Sequence, residues 1–141
     1  RFRSDKVVQL IEEELDIILI GFRRELVVVE YFRKLARVNP EIRNIRLSNM
    51  HEDHEKIDIV VTTAFPRRGS VDVPVQVKGT ELNQLDHMRS LKGSRIPSII
   101  IPSRVSYDRL ASRMYRLLKW YVTRGEVLHI SVDQSLHEVT L

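Results

Sequence analysis

The chain contains no cysteine, and that absence removes disulfides, thiolate metal sites and a cysteine nucleophile together. Long apolar runs are missing too. The run Ile17-Ile18-Leu19-Ile20 is far too short to span a bilayer, so no membrane partner is expected. No basic stretch followed by an apolar segment and a cleavage site is present, so no secretory leader is expected. Neither a Gly-rich phosphate loop of the Walker type nor a Gly-x-Ser-x-Gly elbow occurs, which argues against P-loop nucleotide hydrolysis and α/β-hydrolase chemistry. Internal repeats, low-complexity segments and linkers are also lacking.

What remains suits one domain over residues 1–141, with 43% hydrophobic residues to build a core without staples. A cysteine-free chain is compatible with a reducing, cytoplasmic setting. The formal charge of +4 favours a polyanionic partner, although many proteins that never touch nucleic acid share it.

Ser4-Asp5 can cap a helix that starts near Lys6, and Gly21 either kinks it or separates it from a second helix, Phe22 to Val38. Asn39-Pro40 stops that helix. Ile42 to Leu47 reads as a short strand, 48–55 as a polar loop, and Lys56 to Thr63 and Val71 to Lys78 as strands around a hairpin loop at 65–70. A helix follows over Glu81 to Leu91, then a buried strand from Ile96 to Pro102. Ser106 caps an amphipathic helix that ends at Gly125. Strands at Glu126 to Val132 and Leu136 to Leu141 close the chain. This order of elements predicts an α/β fold with a central mixed sheet flanked by helices.

The two central strands carry the chemistry. Side chains alternate faces along a strand, so Val71, Val73, Val75 and Val77 share one face while Asp72, Pro74, Gln76 and Lys78 share the other. Asp58 is a lone carboxylate within Ile-Asp-Ile-Val-Val. Burying it without a partner would cost roughly several kcal/mol, which calls for a cation or donors beside it. Paired as a hairpin, the strands bring Asp58 near Gln76 and Lys78; the alternative is a plain solvated face. A carboxylate, an amide oxygen and an ammonium in one hollow suit phosphodiester hydrolysis. Asp58, the Gln76 carbonyl and the backbone carbonyl of Val77 would hold Mg²⁺, with Mn²⁺ as a substitute, and Lys78 would orient or deprotonate water.

Ile57-Asp58-Ile59-Val60 followed by Val75-Gln76-Val77-Lys78 resembles the PD-(D/E)XK nuclease superfamily, which includes restriction enzymes and archaeal Holliday-junction resolvases. The resemblance covers Phe22 to Pro102 and implies a restriction-endonuclease-like α-β-β-β-α-β core. It also implies endonuclease activity on DNA and a homodimer, since two strands or a junction require two sites. Ile57 stands where the family has proline, a local matter. Gln76 stands where an acid is usual, and this removes a negative charge from the metal site.

Family members often add a glutamate from the helix before the sheet. At about 100° per residue, Glu30 falls among Arg23, Lys34 and Arg37, whereas Glu25 falls within the arc of Val28, Val29, Phe32, Leu35 and Ala36. Glu25 is therefore the favoured ligand and Glu14 the next; the plainer reading pairs Glu25 with a helix dipole and Arg24. Arg109, Arg113 and Arg116 recur at helical spacing with Trp120 on the same stripe. They serve either as a phosphate track or as a solvated face. Arg67 and Arg68 in the hairpin loop are a second candidate clamp. The run His51-Glu52-Asp53-His54-Glu55 reads as a hydrophilic loop, one of whose acids can border the site. Gln84 is a further candidate to face the cleft, while His87, His129 and His137 lack partners at ligand spacing. Two rival readings stay open: a catalytically weak or inactive nucleic-acid-binding module of the same fold, and a structural or assembly protein.

Overall fold

The computed structural model describes residues 2–101, 106–131 and 139–140. Helix α1 (Phe2–Val38) is followed by strand β1 (Ile42–Leu47), a short helix α2 (Met50–His54), and strands β2 (Ile59–Phe65) and β3 (Gly69–Lys78). Helix α3 (Glu81–Arg89), strand β4 (Ser98–Ile100), helix α4 (Tyr107–Arg124) and strands β5 (Leu128–Ser131) and β6 (Val139–Thr140) complete the order. The strands pair in chain order, five of them forming a mixed sheet that the two-residue β6 extends. β1, β2 and β3 are antiparallel neighbours, β3 through β5 run parallel, and β6 returns antiparallel.

The parallel steps require crossovers, and α3 and α4 supply them from opposite faces. Leu110, Met114, Leu117 and Leu118 of α4 join Val28, Val29, Phe32 and Leu35 of α1 over one face. There they meet Ile59, Val61, Val73, Val75, Ile99 and Ile130 in one apolar cluster. The alternate strand positions face α3, where Gln84 donates to Ser98 Oγ and to the Ile130 carbonyl, both at 3.1 Å. All four β3 valines at odd positions were expected in the core; Val73, Val75 and Val77 are, and Val71 near the hairpin is only half-buried.

Two local expectations change. Gly21 does not divide the first helix, which is one continuous element of 37 residues. A single glycine costs only about 1 kcal/mol in a helix interior, too little to end a long one. The polar segment after β1 is no mere loop, because Asn49 and Glu52 form a reciprocal capping box that nucleates α2. Arg46 reinforces that turn with paired bonds to Glu52 at 2.6 and 2.8 Å. The β2–β3 turn places Arg67 at φ 67° and Gly69 at φ 69°, the left-handed geometry that closes this hairpin. The expected strand over Leu136 to Leu141 lies within the described residues only at Val139–Thr140.

Candidate active site

The regular β2–β3 ladder ends at Ile59 opposite Val75. One residue further along, Asp58 N still donates to the Val75 carbonyl at 2.9 Å, and Ser48 N donates to the Asp58 carbonyl at 2.8 Å. The backbone of Asp58 is thereby held from both sides. Its side chain turns back to the neighbouring strand, where Val77 N donates to Asp58 Oδ2 at 2.8 Å. The carboxylate thus takes the place of a ladder acceptor. N–H and C=O of one strand residue leave by the same edge, so the Val77 carbonyl opens toward Asp58 as well.

Gln76 follows Val75 on β3, and its side-chain oxygen is buried with no hydrogen-bond partner among the described residues. Such an atom loses its hydration without replacement, an expense native structures avoid unless a water, ion or ligand completes it. Lys78 follows, half-buried, and its charge acts on Asp58.

Helix α1 brings Glu25 to the same place. Glu25, Asp53 and Asp58 line an open hollow of about 340 Å³, with Phe22, Leu47 and Met50 as its apolar walls. Burial raises the Glu25 carboxyl to about 8, aided by the Asp58 charge, a hydrogen bond with Asp58 and the more distant Asp53. Burial also pushes Asp58 above the usual carboxylate range, against the Val77 N–H, the Glu25 hydrogen bond and Lys78. Two acids that cannot both ionise comfortably share a proton near neutrality. Glu25 sits in the middle of α1, far from the helix start, so the dipole reading fails and its surroundings alone set its behaviour.

The other candidates divide. Asp53, from the acidic run, reaches the hollow because α2 folds over it, while His51 and His54 remain exposed. Arg67 and Arg68 lie at the far end of the hairpin, about 23 Å from Asp58 by strand rise, so they do not belong to this cluster. Arg109 is exposed, but Arg113 and Arg116 are half-buried. Arg113 donates to the Ser131 carbonyl at 2.8 Å, and Arg116 and Arg124 stack on Trp120 at 5.7 and 4.3 Å from its centroid. Packing therefore engages two of the three arginines of this stripe. Gln84 turns inward to Ser98 and Ile130 rather than to the cleft. His87 and His129 are buried against each other at 5.7 Å, and His137 lies outside the described residues.

One neighbour of the site went unassigned in the sequence. Arg24 lays its guanidinium against Gly79, where any Cβ would collide with it. The signal was the glycine directly after Lys78, which leaves room for a second cation beside the first.

No family model, curated protein or solved structure matches the chain. Among the described residues no helix is long and apolar enough to cross a membrane. Nor do three His, Asp or Glu side chains among them cluster as a metal cage. Any cation here would rely on two carboxylates and neutral oxygens.

Proposed function

We propose that this chain is a magnesium-dependent endonuclease that hydrolyses DNA phosphodiester bonds in an intracellular setting. The observation that carries the reading is the meeting of Glu25 and Asp58, from different elements, in an open hollow where neither ionises freely. The residues fit a divalent cation on two grounds: the crowded acids, and the unpartnered buried oxygen of Gln76, whose chain neighbour Val77 holds Asp58 through its N–H. Asp58, Glu25, Gln76 Oε1 and the Val77 carbonyl would hold Mg²⁺ or Mn²⁺, all oxygen donors that suit a hard cation. When bound, the metal supplies an acidified water and neutralises charge on the phosphate.

The chain's own groups do the rest. Lys78 orients the attacking water and offsets the charge of Asp58. Arg24, held against Gly79, provides a second cation for phosphate oxygens. Leu47 and Met50 give the hollow an apolar wall against which a sugar or base can rest. The order α1, β1, β2, β3, α3, β4, with the short α2 inserted after β1, and the Asp58…Gln76-x-Lys78 spacing support kinship with the restriction-endonuclease-like fold. Supercoiled plasmid incubated with the protein and Mg²⁺ or Mn²⁺ tests the proposal. Nicking that chelation stops and Lys78→Ala abolishes is the expected result; no cleavage of duplex, single-strand, flap or junction DNA with either ion overturns it.

A second reading has its own observation. Gln76 stands in place of an acid and leaves only two carboxylates, which favours a module that binds nucleic acid without cutting it. Salt-sensitive DNA binding without nicking would select that module.

A further inference from the structure

Every described side chain from Asp5 to Ile20 is exposed, although this stretch belongs to an unbroken helix. Six of the apolar residues here and just beyond are Val8, Ile11, Leu15, Leu19, Phe22 and Leu26, each 43% to 54% exposed. At about 100° per residue they fall within an arc of roughly 80°, about a third of a turn from the arc that Val28, Phe32 and Leu35 press against the sheet. The seam runs for roughly 27 Å. Its members recur every eleven residues (8 and 19, 11 and 22, 15 and 26), the period of a nearly straight helix pair. An isolated helix rich in β-branched residues is marginal in water, since helices gain most of their stability from packing an apolar face. Val7, Leu10, Ile20 and Val27 are exposed as well, but at about 100° per residue they fall outside this arc, on the other faces of the helix.

We propose that α1 pairs antiparallel with α1 of a second copy of this chain, through the seam Val8, Ile11, Leu15, Leu19, Phe22 and Leu26. Two features of the chain select that occupant. The seam is nearly its own reverse: inverted about residue 17, Val8 meets Leu26, Leu15 meets Leu19, and Ile11 comes within one residue of Phe22. An isologous contact demands such self-complementarity. Charge selects the direction. Glu12 and Arg23 flank the same side of the seam, and inversion sets each beside the other of the second copy, twice over. A parallel pair in register would instead press the acidic run 12–14 against itself. The inference rests on α1 alone and does not depend on the reading of the acidic hollow.

The chain has no cysteine, so introduced thiols report the geometry directly. Val8→Cys and Leu26→Cys proteins, mixed and oxidised, give the 8–26 crosslink in an antiparallel pair, and neither variant alone crosslinks. Sedimentation of the full chain gives twice the 16.6 kDa mass. Glu12→Arg raises the dissociation constant about tenfold, and adding Arg23→Glu restores it. These substitutions lie on an exposed face, and far-UV circular dichroism with a thermal melt verifies that each variant folds. A monomer at every concentration, an 8–8 crosslink, or a double variant no tighter than Glu12→Arg overturns the proposal.

Discussion

Two groups of buried polar side chains occupy this sheet, and they are treated very differently. Around Ser98, the α3-facing group is sealed: Ser98 Oγ lies 2.6 Å from His129 Nδ1, Gln84 donates to Ser98, and His87 Nε2 contacts the Ile96 carbonyl at 3.0 Å. Burial lowers His129 to about 4, with His87 adding to the effect, and burial also lowers His87, so both rings stay neutral near pH 7. The group at Asp58 opens onto solvent and gathers acids from α1, α2 and the residue just before β2. A group of neutral members sealed from solvent specifies packing, even though His87 Nδ1 and His129 Nε2 find no hydrogen-bond partner there among the described residues. An open one that crowds like charges is where the proposed function would seat a cation.

That contrast breaks most visibly with Asp58→Ala. Its expected effect is a loss of nicking of about a thousandfold, equal to about 4 kcal/mol of transition-state stabilisation, with the thermal melt unchanged or raised. Equal loss of activity and of fold would place Asp58 among the structural residues instead. Ser98→Ala should do the reverse. It strips His129 and Gln84 of a buried partner, and urea titration should show a stability loss of about 1 to 3 kcal/mol. Nicking per folded molecule should hold, and a specific loss of activity would erase the distinction between the groups.

Gln76→Glu sharpens the open group. A restored negative charge should lower the Mg²⁺ concentration for half-maximal nicking about tenfold, about 1.4 kcal/mol. No change would remove Gln76 from the set of ligands. The smallest effect is a pH trend. A carboxyl raised from 4.5 to about 8 in the folded state binds its proton more tightly there than in the unfolded chain. Its stabilisation is complete below about 4.5 and fades as pH rises through about 8. His129 works in the opposite sense, losing stability as pH falls from 6.5 toward 4, so the useful quantity is wild type minus Glu25→Gln. Without metal, that difference in melting temperature should decline from pH 5 to pH 9, and Mg²⁺ should flatten it. A difference independent of pH would show that Glu25 titrates normally.

Period-two alternation in β2 and β3, an amphipathic rhythm along the 18 residues of α4, and Asn39-Pro40 at the end of α1 placed most elements from local pattern alone. The hydrophobic arc around Val28, Val29, Phe32 and Leu35 likewise turned Glu25 toward the sheet, because rotation about a helix axis is a property of spacing. Tertiary structure alone decided three other matters. The placement of α2 set Asp53 beside the hollow, Gly79 admitted the Arg24 guanidinium, and Ser98, Gln84 and His129 closed on one another from segments far apart in the chain. Periodicity reports which face a residue occupies. It carries no information about which other face will stand opposite, and the charge state of a carboxyl or the freedom of an arginine depends on that opposing face.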